Sequence, residues 1–452
     1  MNTVTAFKSF LDKAHSQYHA IDLLKTQLEE AGYTCLPEGK AWELTKGGKY
    51  YLTRGGSAIV AFRIPEEKPQ GFMMSASHCD RPTFKIKENG ELTGTYTRLA
   101  TEKYDGMIMS TWMDRPLSVA GRLIVREGST YTQKLVNIDR DLLIIPNLAI
   151  HMDRNMNDGK KFNPQVDMLP LFALKEEGLG FMATVAKEAG VKEEDIIGHD
   201  LFLYNRQKGT VLGANNEFVC SAKLDDLQCA FASMKGFIAQ EDVKAMPVLA
   251  VFDNEEVGSS TKQGAASTFL FDTLNRVVKA LGGDENTYRK ALAHSFMISA
   301  DNAHAVHPNQ PGISDPTNRP AINKGVVIKY NANQRYTTDA ISAAIFKGML
   351  DDMGVSYQTF ANRSDILGGG TLGNISNTRV ALNTVDIGLP QLAMHSAYET
   401  AGVKDTEDFI KICEAFYGMK LNKVDDDKYT VEETTTDLKY FTLVTGFGAQ
   451  CP

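Results

Sequence analysis

Five apolar residues in a row, Val248 to Phe252, run straight into Asp253-Asn-Glu-Glu256. A run this short and continuous predicts a strand buried on both faces, which belongs in a parallel sheet covered by helices. Gly258, the cluster Ser259-Ser-Thr261 and Gln263-Gly-Ala-Ala266 then predict a turn and the opening of a helix. Carboxylates at the carboxyl end of a buried strand stand where open α/β sheets hold ligands. Adjacent glutamates on a turn point in different directions, so one can hold a metal while the other handles a proton. The ordinary alternative is a solvated acidic loop, and the rest of the chain argues against it.

Strands Val248–Phe252, 296–300, 326–330 and 380–385 alternate with helices expected at 221–238, 268–281, 339–353 and 405–421. That alternation predicts an α/β fold with a helix-covered, mostly parallel mixed sheet. Apolar positions Phe7, Phe10, Leu11, Ala14, Ile21, Leu24 and Leu28 predict an opening helix broken near Tyr18. Between about Thr83 and Gly213 the pattern changes to short alternating strands with Gly/Asn turns. The chain therefore divides into a catalytic domain at 1–82 and 214–452, interrupted by a β-rich insert at 83–213. The polar tail after Asn422, which includes an apolar stretch at 440–444, has no readable role.

The 452 residues carry a net charge of -8, which argues against a nucleic-acid partner. No window approaches the length of a membrane span, and the N-terminus lacks the pattern of a signal peptide. Six scattered cysteines without a C-x-x-C pair point to reduced thiols and a cytoplasmic setting. Any metal is then held by histidine and carboxylate.

Candidate ligands fall at strand ends or in the turns after them: His78, Asp225, Glu255 or Glu256, Asp301 and His395. Two histidines and three carboxylates can hold two divalent ions if one carboxylate bridges them. This donor set suits zinc, with cobalt or manganese as substitutes. Asp80, two residues beyond His78, is placed to accept the other ring N–H of a ligating histidine. Each residue alone is as well read as a structural group, His78 as a satisfied buried histidine and Asp80 as a turn cap.

Ser77-His-Cys-Asp-Arg-Pro82, Leu224-Asp-Asp226, Asp253-Asn-Glu-Glu-Val-Gly-Ser259, Asp301-Asn-Ala-His-Ala-Val-His-Pro-Asn309 and Gln391-Leu-Ala-Met-His-Ser396 resemble the aspartyl aminopeptidase and vacuolar aminopeptidase I family. The similarity runs in order from the first helix to about Asn422. It implies His78, Asp225, Glu256, Asp301 and His395 as ligands of two zinc ions, with Asp225 as the bridge. It implies Glu255 as the general base and Asp80 as the group that orients His78. It also implies that 83–213 is a dimerisation domain and that dimers assemble into a dodecameric shell. His151, in Ile144-Ile-Pro-Asn-Leu-Ala-Ile-His151, would reach a neighbouring active site and help hold the oxyanion.

Two departures stand out. Asp105-Gly-Met-Ile108 replaces a run of glycines, and Asp226 replaces the usual Asn after the bridging Asp. The expected activity is removal of the N-terminal residue from unblocked peptides. Lys329 is a candidate cation for an acidic substrate side chain. Alternatives are another dinuclear hydrolase on this scaffold (a deacylase, or a carboxypeptidase using Arg335 or Arg363) and a non-catalytic shell protein.

Overall fold

The computed structural model describes residues 2–67, 70–175, 178 and 180–432. Its central sheet has nine strands in the order Thr34–Cys35, Lys49–Arg54, Ala58–Arg63, Met246–Phe252, Phe72–His78, Phe296–Ala300, Asn383–Gly388, Val326–Lys329 and Tyr357–Phe360. The four strands from Met246–Phe252 through Asn383–Gly388 are mutually parallel. Antiparallel pairs flank them on both sides. The sheet is thus mixed and mostly parallel, as the alternation predicts.

Every residue of Phe72–His78, Met246–Phe252 and Phe296–Ala300 is buried. The reason is coverage from both sides. One face packs on Phe7, Leu11, Leu24 and Leu28 of the opening helices, and on Leu227, Phe231, Phe409 and Phe416 of two later ones. The other face packs on Phe269, Leu274, Val277 and Tyr288. Burying each such side chain contributes roughly 1.5–3 kcal/mol. The opening helix breaks at residues 14–16, earlier than expected, because Ser16 caps a second helix, Gln17–Glu30, by accepting from His19 N–H.

A six-stranded antiparallel sheet lies between Thr83 and Asn205, in the order Thr130–Asn137, Leu117–Glu127, Ile196–Asn205, Thr83–Leu92, Tyr96–Tyr104 and Leu171–Leu174. It has its own core around Phe84, Leu99, Trp112, Leu117 and Leu203. Thr210–Leu212 pairs instead with Phe218–Ser221. Phe218–Ser221 delays the next helix to Leu224–Ala239, past the expected start at 221. Two other boundaries move. The strand expected at 380–385 is Asn383–Gly388, and the helix expected to reach 421 ends at Gly418. A hairpin, Lys420–Asp425 with Lys428–Glu432, follows the helix. The apolar stretch at 440–444 lies outside the described residues.

Candidate metal centre

Parallel strands end side by side, and their carboxyl ends deliver the predicted residues to one place. His78 closes its strand, Glu255 and Glu256 form a short turn after Phe252, and Asp301 follows Ala300. Gly388, the last residue of the neighbouring strand, packs against this segment, and a Cβ there would lie 2.1 Å from the Asp301 carbonyl oxygen. Asp225 enters from the start of the Leu224–Ala239 helix, and His395 from the loop between Pro390–Leu392 and Glu399–Gly402.

Nε2 of His78 lies 3.6 Å from Asp225 Oδ1, 3.8 Å from Asp301 Oδ1 and 4.0 Å from Glu255 Oε2. Nε2 of His395 lies 3.5 Å from Asp225 Oδ2 and 3.2 Å from Glu256 Oε2. Asp225 therefore stands between two half-sites. Burial opposes charge on both histidines, but their carboxylate neighbours outweigh it. His78 is raised well above its ordinary pKa, by Asp225, Asp301 and Asp80, and His395 is pushed up to about 12 by Asp225 and Glu256. Burial also opposes charge on Asp225, yet the two histidines hold its pKa below the usual range. Burial raises Glu255 well above the carboxylate range and Glu256 to about 8.

A bound cation would let these buried acids stay ionised. Oδ1 of Asp225, Oδ1 of Asp226 and Oε1 of Glu256 are buried with no hydrogen-bond partner. Three groups of ligand atoms lie close enough to share an ion: His78, Asp226 and Asp301; His78, Asp225 and Glu256; and Asp105, Glu256 and His395. Imidazole and carboxylate without thiolate form a donor set that fits zinc.

Asp80 does more than face His78. Its Oδ1 lies 3.3 Å from His78 Nδ1 and accepts Glu255 N–H, while Oδ2 accepts Glu256 N–H and the Tyr104 hydroxyl. Lys329 is buried, its Nζ 3.7 Å from Asp301 Oδ2. His151 lies in an exposed turn of the insert, and no hydrogen bond or ion pair among the described residues links it to the cluster. Arg335 donates to the Gly368 carbonyl, and Arg363 pairs with Asp365.

Sequence reasoning missed three supports. Glu399 is buried and accepts from the N–H groups of Leu224, Asp225 and His395, which ties two ligand segments together. Tyr104 comes from the insert. Asp226, noted only as a departure from the usual Asn, accepts His78 N–H and groups with His78 and Asp301. Nothing in local sequence marks Glu399 or Tyr104, because their meaning lies in tertiary contacts.

The family model described as Aminopeptidase I zinc metalloprotease (M18) matches residues 10–417. A probable M18 family aminopeptidase 2 from Clostridium acetobutylicum is 47% identical over 422 residues, covering 91% of this chain and 97% of that protein. The solved Ape4 and Nbr1 complex contains a chain that superposes with a TM-score of 0.89 at 34% identity, over 92% of this chain and 85% of that one. The mApe1 dodecamer of S. cerevisiae superposes with a TM-score of 0.80 at 26% identity, over 91% and 95%.

Proposed function

The chain belongs to the M18 family of aminopeptidase I zinc metalloproteases and is a metallo-aminopeptidase, and from this we propose how its residues divide the work. His78, Asp225, Glu256, Asp301 and His395 would hold two zinc ions, Asp225 lying between the two histidines. Zinc bound there supplies a Lewis acid for the scissile carbonyl and lowers the pKa of a coordinated water. Glu255 accepts the proton of the attacking water and passes it to the leaving amine. Its side chain is 15% exposed against 3% for Glu256, so it is the glutamate open to substrate. Asp80 fixes the turn that carries both glutamates. The free α-amine of the peptide, a cation, is drawn to the carboxylates around His395.

The observation that carries this reading is Asp225 facing a histidine with each of its oxygens while Glu255 stands at the open edge. Lys329, beside Asp301, is the cation offered to an acidic first residue. Residues 83–213 form a dimerisation domain, and dimers assemble into a homo-dodecamer. The dodecameric state of the mApe1 neighbour supports this, as do Leu148, Ile150 and Met152, which the insert leaves 49%, 47% and 76% exposed. His151 on the same loop then donates to the oxyanion in a neighbouring copy. No helix among the described residues is long and apolar enough to cross a membrane, and the enzyme acts in the cytoplasm.

A panel of aminoacyl-arylamides and short peptides, with N-blocked controls, tests this. Metal-dependent release from free-amine substrates alone is expected. Cleavage of blocked peptides would instead favour a deacylase or carboxypeptidase. Comparing Asp and Glu with Leu at the first position, in wild type and Lys329→Met, assigns the pocket.

A further inference from the structure

Each metal-side histidine has a second ring nitrogen, and what that nitrogen meets fixes the tautomer and the ring plane. Nδ1 of His78 faces Asp80, whose Oδ2 accepts the Tyr104 hydroxyl at 2.7 Å. Nδ1 of His395 donates to the Gly106 carbonyl at 2.8 Å, with Asp105 Oδ2 3.7 Å away. Ile108 N–H donates to the His395 carbonyl at 3.0 Å. Two residues apart in the insert, Tyr104 and Gly106 thus stand behind the outer nitrogens of both histidines.

The stretch is itself anchored. Tyr104 ends a strand of the insert sheet and sets its ring edge-on to Phe202, with centroids 5.9 Å apart. Its hydroxyl oxygen accepts Asn254 Nδ2–H at 2.8 Å, and Asn254 precedes Glu255 in a left-handed conformation at φ 62°. Asp105 follows with φ 61°, which turns the chain so that the Gly106 carbonyl reaches His395.

We infer that Tyr104 and Asp105 are positioning residues of the metal centre, so that the insert sets the metal affinity of the catalytic domain. Tyr104 acts through Asp80 on His78 and on the Glu255–Glu256 turn. Asp105 acts on His395, both by its charge and by placing the Gly106 carbonyl. The inference rests on the proposed roles of His78 and His395 as ligands. Its consequence is reciprocal: metal loading holds the insert against the catalytic sheet, and a displaced insert releases metal.

Tyr104→Phe removes one hydroxyl and keeps the ring on Phe202. Asp105→Asn removes one charge and keeps a residue that tolerates positive φ. Zinc affinity is measured by chelator competition on the full chain, cobalt loading is followed by its visible spectrum, and kcat and KM are separated. Both variants are expected to bind metal about tenfold more weakly, or worse, with kcat lowered and KM within about twofold. The two are also expected to change different cobalt bands, because they act on different histidines. Each chelated variant should still unfold in one cooperative transition, that of Tyr104→Phe somewhat below the chelated wild type because Asp80 and Asn254 lose a partner. Wild-type metal affinity in both variants would overturn the inference. His78→Ala and His395→Ala are run beside them. If those two keep both ions, the ligand assignment itself has failed; if they lose metal while Tyr104→Phe and Asp105→Asn do not, only the positioning role has.

Discussion

Nε2 of His395 lies 3.5 Å from Oδ2 of Asp225, which leaves Oδ1 of the same carboxylate turned toward the other histidine. One acid from a helix start thereby faces a histidine at a strand end and a histidine on a loop. This arrangement separates the effects of substitutions. His395→Ala should remove one metal ion, because His78 and Asp301 keep the other half-site. Asp225→Ala should remove both, and metal analysis of the two purified variants checks the difference.

Glu255→Gln keeps the shape and the backbone bond to Asp80 but cannot take a proton. Turnover should fall about 10²–10⁴-fold, with metal content unchanged and KM within a few-fold. Steady-state kinetics on metal-analysed protein tests this. Near-full activity would move the base elsewhere.

The metal-free chain should respond to pH in a defined direction. Burial raises Glu256 and Glu399 to about 8. His395 rises to about 12, because Asp225 and Glu256 outweigh its burial. All three have folded pKa values above their unfolded ones. Their contribution to stability is therefore present below the unfolded pKa and lost as pH rises through the folded one. Zinc would displace the protons of Glu256 and His395. From about pH 5 to pH 8, the gap between zinc-loaded and chelated thermal midpoints should widen. A constant or narrowing gap in differential scanning calorimetry would contradict the proton count.

Glu399 touches no substrate in this account, yet it accepts three ligand-segment N–H groups. Glu399→Gln exchanges part of a buried acceptor for a donor facing those N–H groups. The expected cost is about 1–3 kcal/mol of stability, together with weaker zinc binding. Denaturant unfolding and chelator competition on the same sample check both.

How much of this was legible follows from what local pattern encodes. Val248–Phe252 and Phe296–Ala300 could be read because a strand buried on both faces must be apolar throughout. His78, Glu256 and Asp301 could be picked out as candidate ligands because strand ends are where polarity returns. The choice between Glu255 and Glu256 came from family resemblance; local pattern does not distinguish two adjacent glutamates. Tyr104 and Glu399 were invisible because their partners are distant in sequence. Helix ends slipped where a cap or a paired strand overrode periodicity, as at Ser16 and at Phe218–Ser221.

Zinc titration of the chelated enzyme, with bound metal and release from a free-amine substrate followed together, tests the two-ion centre most directly. Full activity is expected to need two equivalents per chain, and Glu255→Gln to bind the same two without turnover. Full activity at one equivalent, or activity that persists without metal, would contradict the two-ion centre.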